Sequence, residues 1–136
     1  MSPIRTRTSR HLFLMAIILA AGCTSSDNVV GPENEPEVTN QTDTFQWQVS
    51  DLSDVTQTFT YTWSITGVMA NVNQSAALSG GTATLTVADA TGTEVYSGSL
   101  TGNGTFQTAT GTAGNWTVTV TLTNATGTLN FRLEKP

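Results

Sequence analysis

The chain has 136 residues, five Lys and Arg against ten Asp and Glu, and a single cysteine. Three of the five bases precede Cys23 and all ten acids follow it, so loss of residues 1–22 would move the formal charge from −5 to −8. A surface that acidic offers no footprint to a phosphate backbone, which excludes nucleic acid as a partner. One thiol cannot build a disulfide framework within the chain.

The first element is a leader, residues 1–22. Arg5, Arg7 and Arg10 precede an apolar run containing Leu12, Phe13, Leu14, Met15, Ile17, Ile18 and Leu19, which ends in Leu19-Ala20-Ala21-Gly22-Cys23. That is a charged n-region, an h-region and a small-residue cleavage site, expected to be helical through about residues 10–20. The apolar run is far shorter than the ~20 residues needed to cross a bilayer. The stretch ending at Cys23 resembles the lipobox of bacterial lipoproteins, with Ala20 where that family prefers Leu. The resemblance implies that Cys23 is acylated and becomes the mature N-terminus, and that the protein's first partner is the membrane, reached through lipid. Each buried methylene is worth about 0.8 kcal/mol and stable anchoring needs at least two chains; the family carries three. Thr24 follows the cysteine, whereas in that family an Asp there retains the protein at the inner membrane. The outer membrane is the implied address in an organism that has one.

Residues 23–44 read as the lipidated cysteine and a flexible acidic tether. Ser25, Ser26, Asp27, Asn28, Gly31, Pro32, Glu33, Glu35, Pro36 and Glu37 combine low hydrophobicity with like charge, a composition that cannot recover its ordering entropy by burial. Such a tether has a root-mean-square reach of about 25 Å.

From residue 45 to residue 136 the hydrophobic period is two. Phe45, Trp47 and Val49 mark a first strand. Phe59, Tyr61, Trp63 and Ile65 alternate with Thr60, Thr62 and Ser64, and Ala83, Leu85 and Val87 alternate with Thr84 and Thr86. Trp116, Val118, Val120 and Leu122 alternate with threonines, and Leu129, Phe131 and Leu133 with Asn130, Arg132 and Glu134. Weaker runs cover about 73–79, 94–98 and 104–109. Each strand has one apolar face to bury, and no run after Cys23 has a helical period. The expectation is one antiparallel β-sandwich of seven or eight short strands, jelly-roll or immunoglobulin-like, with a small barrel as the competitor. All three tryptophans fall on apolar faces, whereas Tyr96 follows the inward-facing Val95 and is expected outside.

Ala-Thr-Gly-Thr recurs at 90–93, 109–112 and 125–128. Offsets of 19 and 16 residues are unequal, so these read as turns between strands, with Gly92 and Gly127 at positive φ, rather than as a structural repeat. Gly80-Gly81 and Gly102-Asn103-Gly104 are further hairpin signals, and Asp51-Leu52-Ser53-Asp54 reads as the loop after the first strand.

The inventory of reactive groups is short. His11, the only histidine, lies in the leader, and Cys23 is taken by lipid. The remainder lacks the groups for a Ser-His-Asp triad, a cysteine nucleophile or a zinc site. Carboxylates remain: Asp51 with Asp54, and Asp89 with Glu94. They read as solvated turn residues, with a weak calcium site as the alternative and a carboxylate-pair hydrolase as the remote one. No catalytic residue and no cofactor is expected.

Val95-Tyr96-Ser97-Gly98, Gly114-Asn115-Trp116-Thr117-Val118 and Gly127-Thr128-Leu129-Asn130-Phe131 together look like the closing strands of small jelly-roll domains appended to bacterial secreted peptidases. Those domains often carry calcium-binding acids, but no acid cluster aligns here, and no site residue is carried over. The resulting expectation is a lipid-anchored envelope protein with a non-catalytic sandwich that binds an envelope protein or serves structurally. The alternative is a carbohydrate- or glycan-binding module, for which a tryptophan exposed beside polar partners would be the discriminating feature.

Overall fold

The computed structural model describes residues 29–32 and 34–136. The expected leader helix, Cys23 and the first part of the tether lie outside the described residues. Every regular element described is a strand: β1 (Glu37–Gln41), β2 (Thr44–Ile65), β3 (Asn71–Ala88), β4 (Glu94–Ser99), β5 (Gly104–Gln107) and β6 (Gly114–Glu134). They pair antiparallel in the order β1-β2-β6-β3-β4, while β5 pairs with the Asn71–Gln74 end of β3.

The all-β antiparallel class follows from the period-two pattern, but the strand count differs from the expected seven or eight. β2, β3 and β6 run 22, 18 and 21 residues, and each contains two of the short strands read from the sequence. β2 joins the runs at 45–49 and 59–65, β3 those at 73–79 and 83–87, and β6 those at 116–122 and 129–133.

These long strands bend in the middle and face themselves. Within β2 the rings of Phe45 and Tyr61 lie 5.3 Å apart, and those of Trp47 and Phe59 lie 5.6 Å apart. Both pairs are centred on residue 53, so the two arms of one strand form opposite walls of the core. The first layer holds β1, the early arms of β2 and β3, the late arm of β6, and β5. The second holds the late arms of β2 and β3, the early arm of β6, and β4. A sandwich whose strands switch layers through bulges is an established solution for sheet packing.

The corner is where the sequence reading needs correction. Asp51-Leu52-Ser53-Asp54 is not a loop: the β2–β6 register slips between Val49 and Leu52 and again between Leu52 and Val55. Each slip is a bulge that adds a residue and bends the strand. Asp51 and Asp54 absorb the bends at φ of 56° and 52°, a left-handed region that Asp tolerates better than most residues. Leu52 and Val55 therefore still point into the core. Gly80-Gly81 is likewise a corner inside β3 rather than a hairpin. Gly81 has φ of 72°, and a Cβ there would collide with the Asn124 carbonyl. The third Ala-Thr-Gly-Thr copy lies within β6, with Gly127 at φ of 131°. Only the first copy is a hairpin turn: Gly92, at φ of 84°, donates its N–H to the Asp89 carbonyl at 3.0 Å. The second copy crosses the end of the sandwich, where Gly111 donates to the Val68 carbonyl at 2.7 Å.

β1 comes from the segment whose composition reads as tether. All five of its side chains are exposed, so the pairing of Glu37 with Gln48 through Gln41 with Thr44 leaves no hydrophobic trace. Asn40 Nδ2 donates to the Thr62 carbonyl at 2.8 Å, and Trp63 Nε1 to the Gln41 carbonyl at 3.0 Å. β1 thus reaches from the first layer to the free edge of the second.

Trp47, Trp63 and Trp116 are fully buried, as the alternation requires. Buried indoles need acceptors, and all three have one: the Tyr61 hydroxyl, the Gln41 carbonyl and the Thr112 carbonyl. Tyr96 departs from expectation. The β3–β4 register slips so that Val87 pairs with Tyr96 and Ala88 with Glu94, which makes Val95 the extra residue. Tyr96 therefore turns inward with its neighbour and is half-buried, its ring lying over Gly98 and 6.5 Å from that of Phe106. Burial raises the pKa of its hydroxyl.

Candidate functional site

The four carboxylates singled out by sequence do not converge. Asp51 and Asp54 are exposed at the β2 corner, where the Asp54 N–H donates to Thr126 Oγ1 at 2.9 Å. Glu94 opens β4, exposed and opposite Ala88. Asp89 follows β3 and is 5% exposed. Among the described residues, no three of His, Cys, Asp and Glu come together in a group able to hold a metal.

Asp89 is the most highly organised of the four, and its organisation is internal. Its Oδ1 accepts the Thr91 hydroxyl at 2.7 Å and the N–H groups of Thr91 and Thr93 at 2.9 and 3.0 Å. Its Oδ2 accepts the Thr112 N–H at 2.9 Å. This carboxylate ties the β3–β4 turn to the segment entering β6. The Thr91 hydroxyl, then the N–H groups of Thr112, Thr93 and Thr91, hold its pKa down at about 2 against the opposing effect of burial. With both oxygens occupied by protein donors, Asp89 is a structural anchor.

Asp43 plays a similar part at φ of 67° in the β1–β2 turn. It accepts the Thr66 N–H at 2.7 Å and the Thr66 hydroxyl at 2.8 Å, and Lys135 Nζ lies 3.5 Å away. The Thr66 contacts and the lysine lower its pKa.

The two outer faces of the sandwich differ in chemistry. On the second layer, Thr58, Thr121 and Thr84 stand side by side across β2, β6 and β3, with Thr60, Thr119 and Thr86 in the next row. On the first layer the equivalent positions hold amides and an ion pair. Gln46, Arg132, Asn73 and Thr105 form one row across β2, β6, β3 and β5, and Gln48, Asn130 and Ser75 form the next. A composition rich in Thr would load both faces alike, so the segregation is a property of this fold.

An open depression of about 360 Å³ lies on the amide face, lined by Gln46, Asn73, Ser75, Thr105, Asn130 and Arg132 among others. Thr105 donates to Asn73 Oδ1 at 3.0 Å, and Asn73 Nδ2 donates to Glu134 Oε1 at 3.1 Å. Arg132 Nε sits 3.3 Å from Glu134 Oε2. These residues escaped the sequence reading because no motif joins them. Their only signal was that the polar positions of the runs at 45–49, 73–79 and 129–133 include Gln46, Gln48, Asn73 and Asn130, whereas the outward ones of the runs at 59–65, 83–87 and 116–122 are all Thr or Ser.

A scan against protein-family models finds no match, and a search of curated proteins finds none either. No helix among the described residues is long and apolar enough to cross a membrane.

Proposed function

We propose that this chain is a lipid-anchored protein of the bacterial cell envelope whose β-sandwich acts as a binding or structural module rather than an enzyme. The observation that carries the reading is the lone Cys23 behind a basic n-region, a short apolar run and Ala20-Ala21-Gly22, which makes thioether acylation the natural use of the only thiol. The non-catalytic half rests on the absence of His and Cys from residues 29–136 and on the scattering of the carboxylates described above.

Metabolic labelling with a fatty-acid analogue, followed by mass spectrometry of the membrane fraction, tests the anchor. The expected product begins at an acylated Cys23, and Cys23→Ala abolishes the label and releases the domain from the membrane. An intact Met1 or an unmodified Cys23 would overturn the reading.

A second reading, a glycan-binding module, is favoured by one feature: the hydrogen-bonding depression on the first layer. It does not draw on the tryptophans, which are all internal.

A further inference from the structure

We propose that the amide face of the first layer binds a neutral saccharide, with Gln46, Ser75, Asn130 and Arg132 as the contacting side chains. The proposal rests on the glycan-binding reading and assigns it a site and a ligand class.

The lining selects the ligand. Ligand pockets are mostly apolar with a few placed polar groups, but this depression is framed by amides, hydroxyls and a guanidinium. No aliphatic or aromatic side chain lines it, so a ligand's orientation there has to come from hydrogen bonds. Each amide both donates and accepts, as does each hydroxyl, which matches a ligand rich in hydroxyls, each of them a donor and an acceptor. The rows are spaced by the sheet, about 4.8 Å between strands and about 6.7 Å between alternate residues, so their groups meet successive hydroxyls of a ring system rather than a single charge.

Part of the lining is already fixed and part is uncommitted. The chain from Thr105 through Asn73 to Glu134, and from Glu134 to Arg132 Nε, holds those side chains in place. Asn130 Nδ2 leans on Gln48 Oε1 at 3.4 Å, which leaves its Oδ1 to accept. Among the described residues, the Gln46 amide and the Ser75 hydroxyl have no protein partner, and the Arg132 contact is made through Nε, leaving its terminal nitrogens to donate.

Charge decides between neutral and acidic sugars. Glu134, beside the depression, pairs with Arg132 and offsets its charge, and the chain as a whole is acidic, so a polyanionic glycan would meet net repulsion. A neutral polyol meets none.

The test uses the full chain purified in a zwitterionic detergent that carries no sugar headgroup. Titration calorimetry is run with neutral trisaccharides of glucose, galactose and mannose, and with the trimer of galacturonic acid. At least one neutral trisaccharide should bind at least about tenfold more tightly than the acidic trimer. Gln46→Ala and Arg132→Gln, on different strands, should each weaken it about tenfold with unchanged melting temperature. Thr119→Ala, on the opposite outer face, should leave it unchanged. Equal binding of the acidic trimer overturns the ligand class. Binding that survives both substitutions overturns the site while leaving the glycan reading intact. Binding of no trisaccharide overturns both, and acyl labelling at Cys23 is independent of either result.

Discussion

The Trp47 indole donates to the Tyr61 hydroxyl at 2.9 Å across the core, although both residues belong to the same strand. This bond joins the two arms of β2 and measures whether the strand has folded over itself. Tyr61→Phe keeps the ring and removes the acceptor, leaving a fully buried indole N–H unpaired. A buried donor without a partner costs about 1–3 kcal/mol, and in a domain of this size each kcal/mol moves the midpoint by about 4–8 °C. Thermal melting of Tyr61→Phe should fall by that amount, and the loss should shrink when Trp47→Phe removes the donor as well. An unchanged midpoint in Tyr61→Phe would mean that the arms do not meet through this bond.

The second prediction concerns the corner. Gly81 and Gly92 both have positive φ, at 72° and 84°, but their surroundings differ: a Cβ at Gly81 collides with the backbone of Asn124, whereas at Gly92 nothing lies within 4 Å. Gly92→Ala should cost only the left-handed penalty of about 1–2 kcal/mol. Gly81→Ala adds an overpacking cost of about 1–3 kcal/mol or more and should force β3 and β6 apart where they change layers. Urea midpoints of the two variants compare the sites directly, and equal losses would refute the close approach at the corner.

That corner also marks where the sequence stops being legible. Alternation assigned Trp63, Trp116, Leu85 and Phe131 to the core because period two survives inside each arm. The continuity of the arms was hidden because a bulge shifts the phase: Val49, Leu52 and Val55 are spaced by three, a pattern that reads as loop when Asp and Ser fill the gaps. β1 was hidden for a different reason, since a strand that pairs through its backbone and buries no side chain carries no hydrophobic signal. The same holds for Gln46, Asn73 and Arg132, which lie far apart in sequence and become one surface only through the registers of β2, β3 and β6.

Trp116 supplies the third prediction. It faces Trp63 across the β2–β6 ladder with ring centroids 6.0 Å apart at 88°, an edge-to-face geometry favoured by ring quadrupoles. Trp116→Ala should cost about 3–5 kcal/mol, against a total of about 5–15 kcal/mol for a typical domain. Near-ultraviolet circular dichroism should lose the signal of the coupled indoles, and the urea midpoint should drop sharply. Melting like the parent would show that Trp116 is not packed in the interior.

The last prediction follows from Asp89, whose folded pKa of about 2 lies below the roughly 3.9 of a free aspartate. A depressed carboxylate contributes stability above its unfolded pKa and loses it as pH falls through the folded value. The contribution of Asp89 should therefore be complete above about pH 4 and disappear toward about pH 2. Asp89→Asn keeps the shape but no longer offers two charged acceptors to the donors of Thr91, Thr93 and Thr112. It should melt below the parent at neutral pH, with the gap narrowing as both are acidified from about pH 4 to about pH 2. Calcium or a chelator should not change the gap, because protein donors already occupy both oxygens. A gap constant across that window would remove Asp89 as the anchor of the β3–β4 turn, and a calcium-dependent gap would show a metal competing for its oxygens.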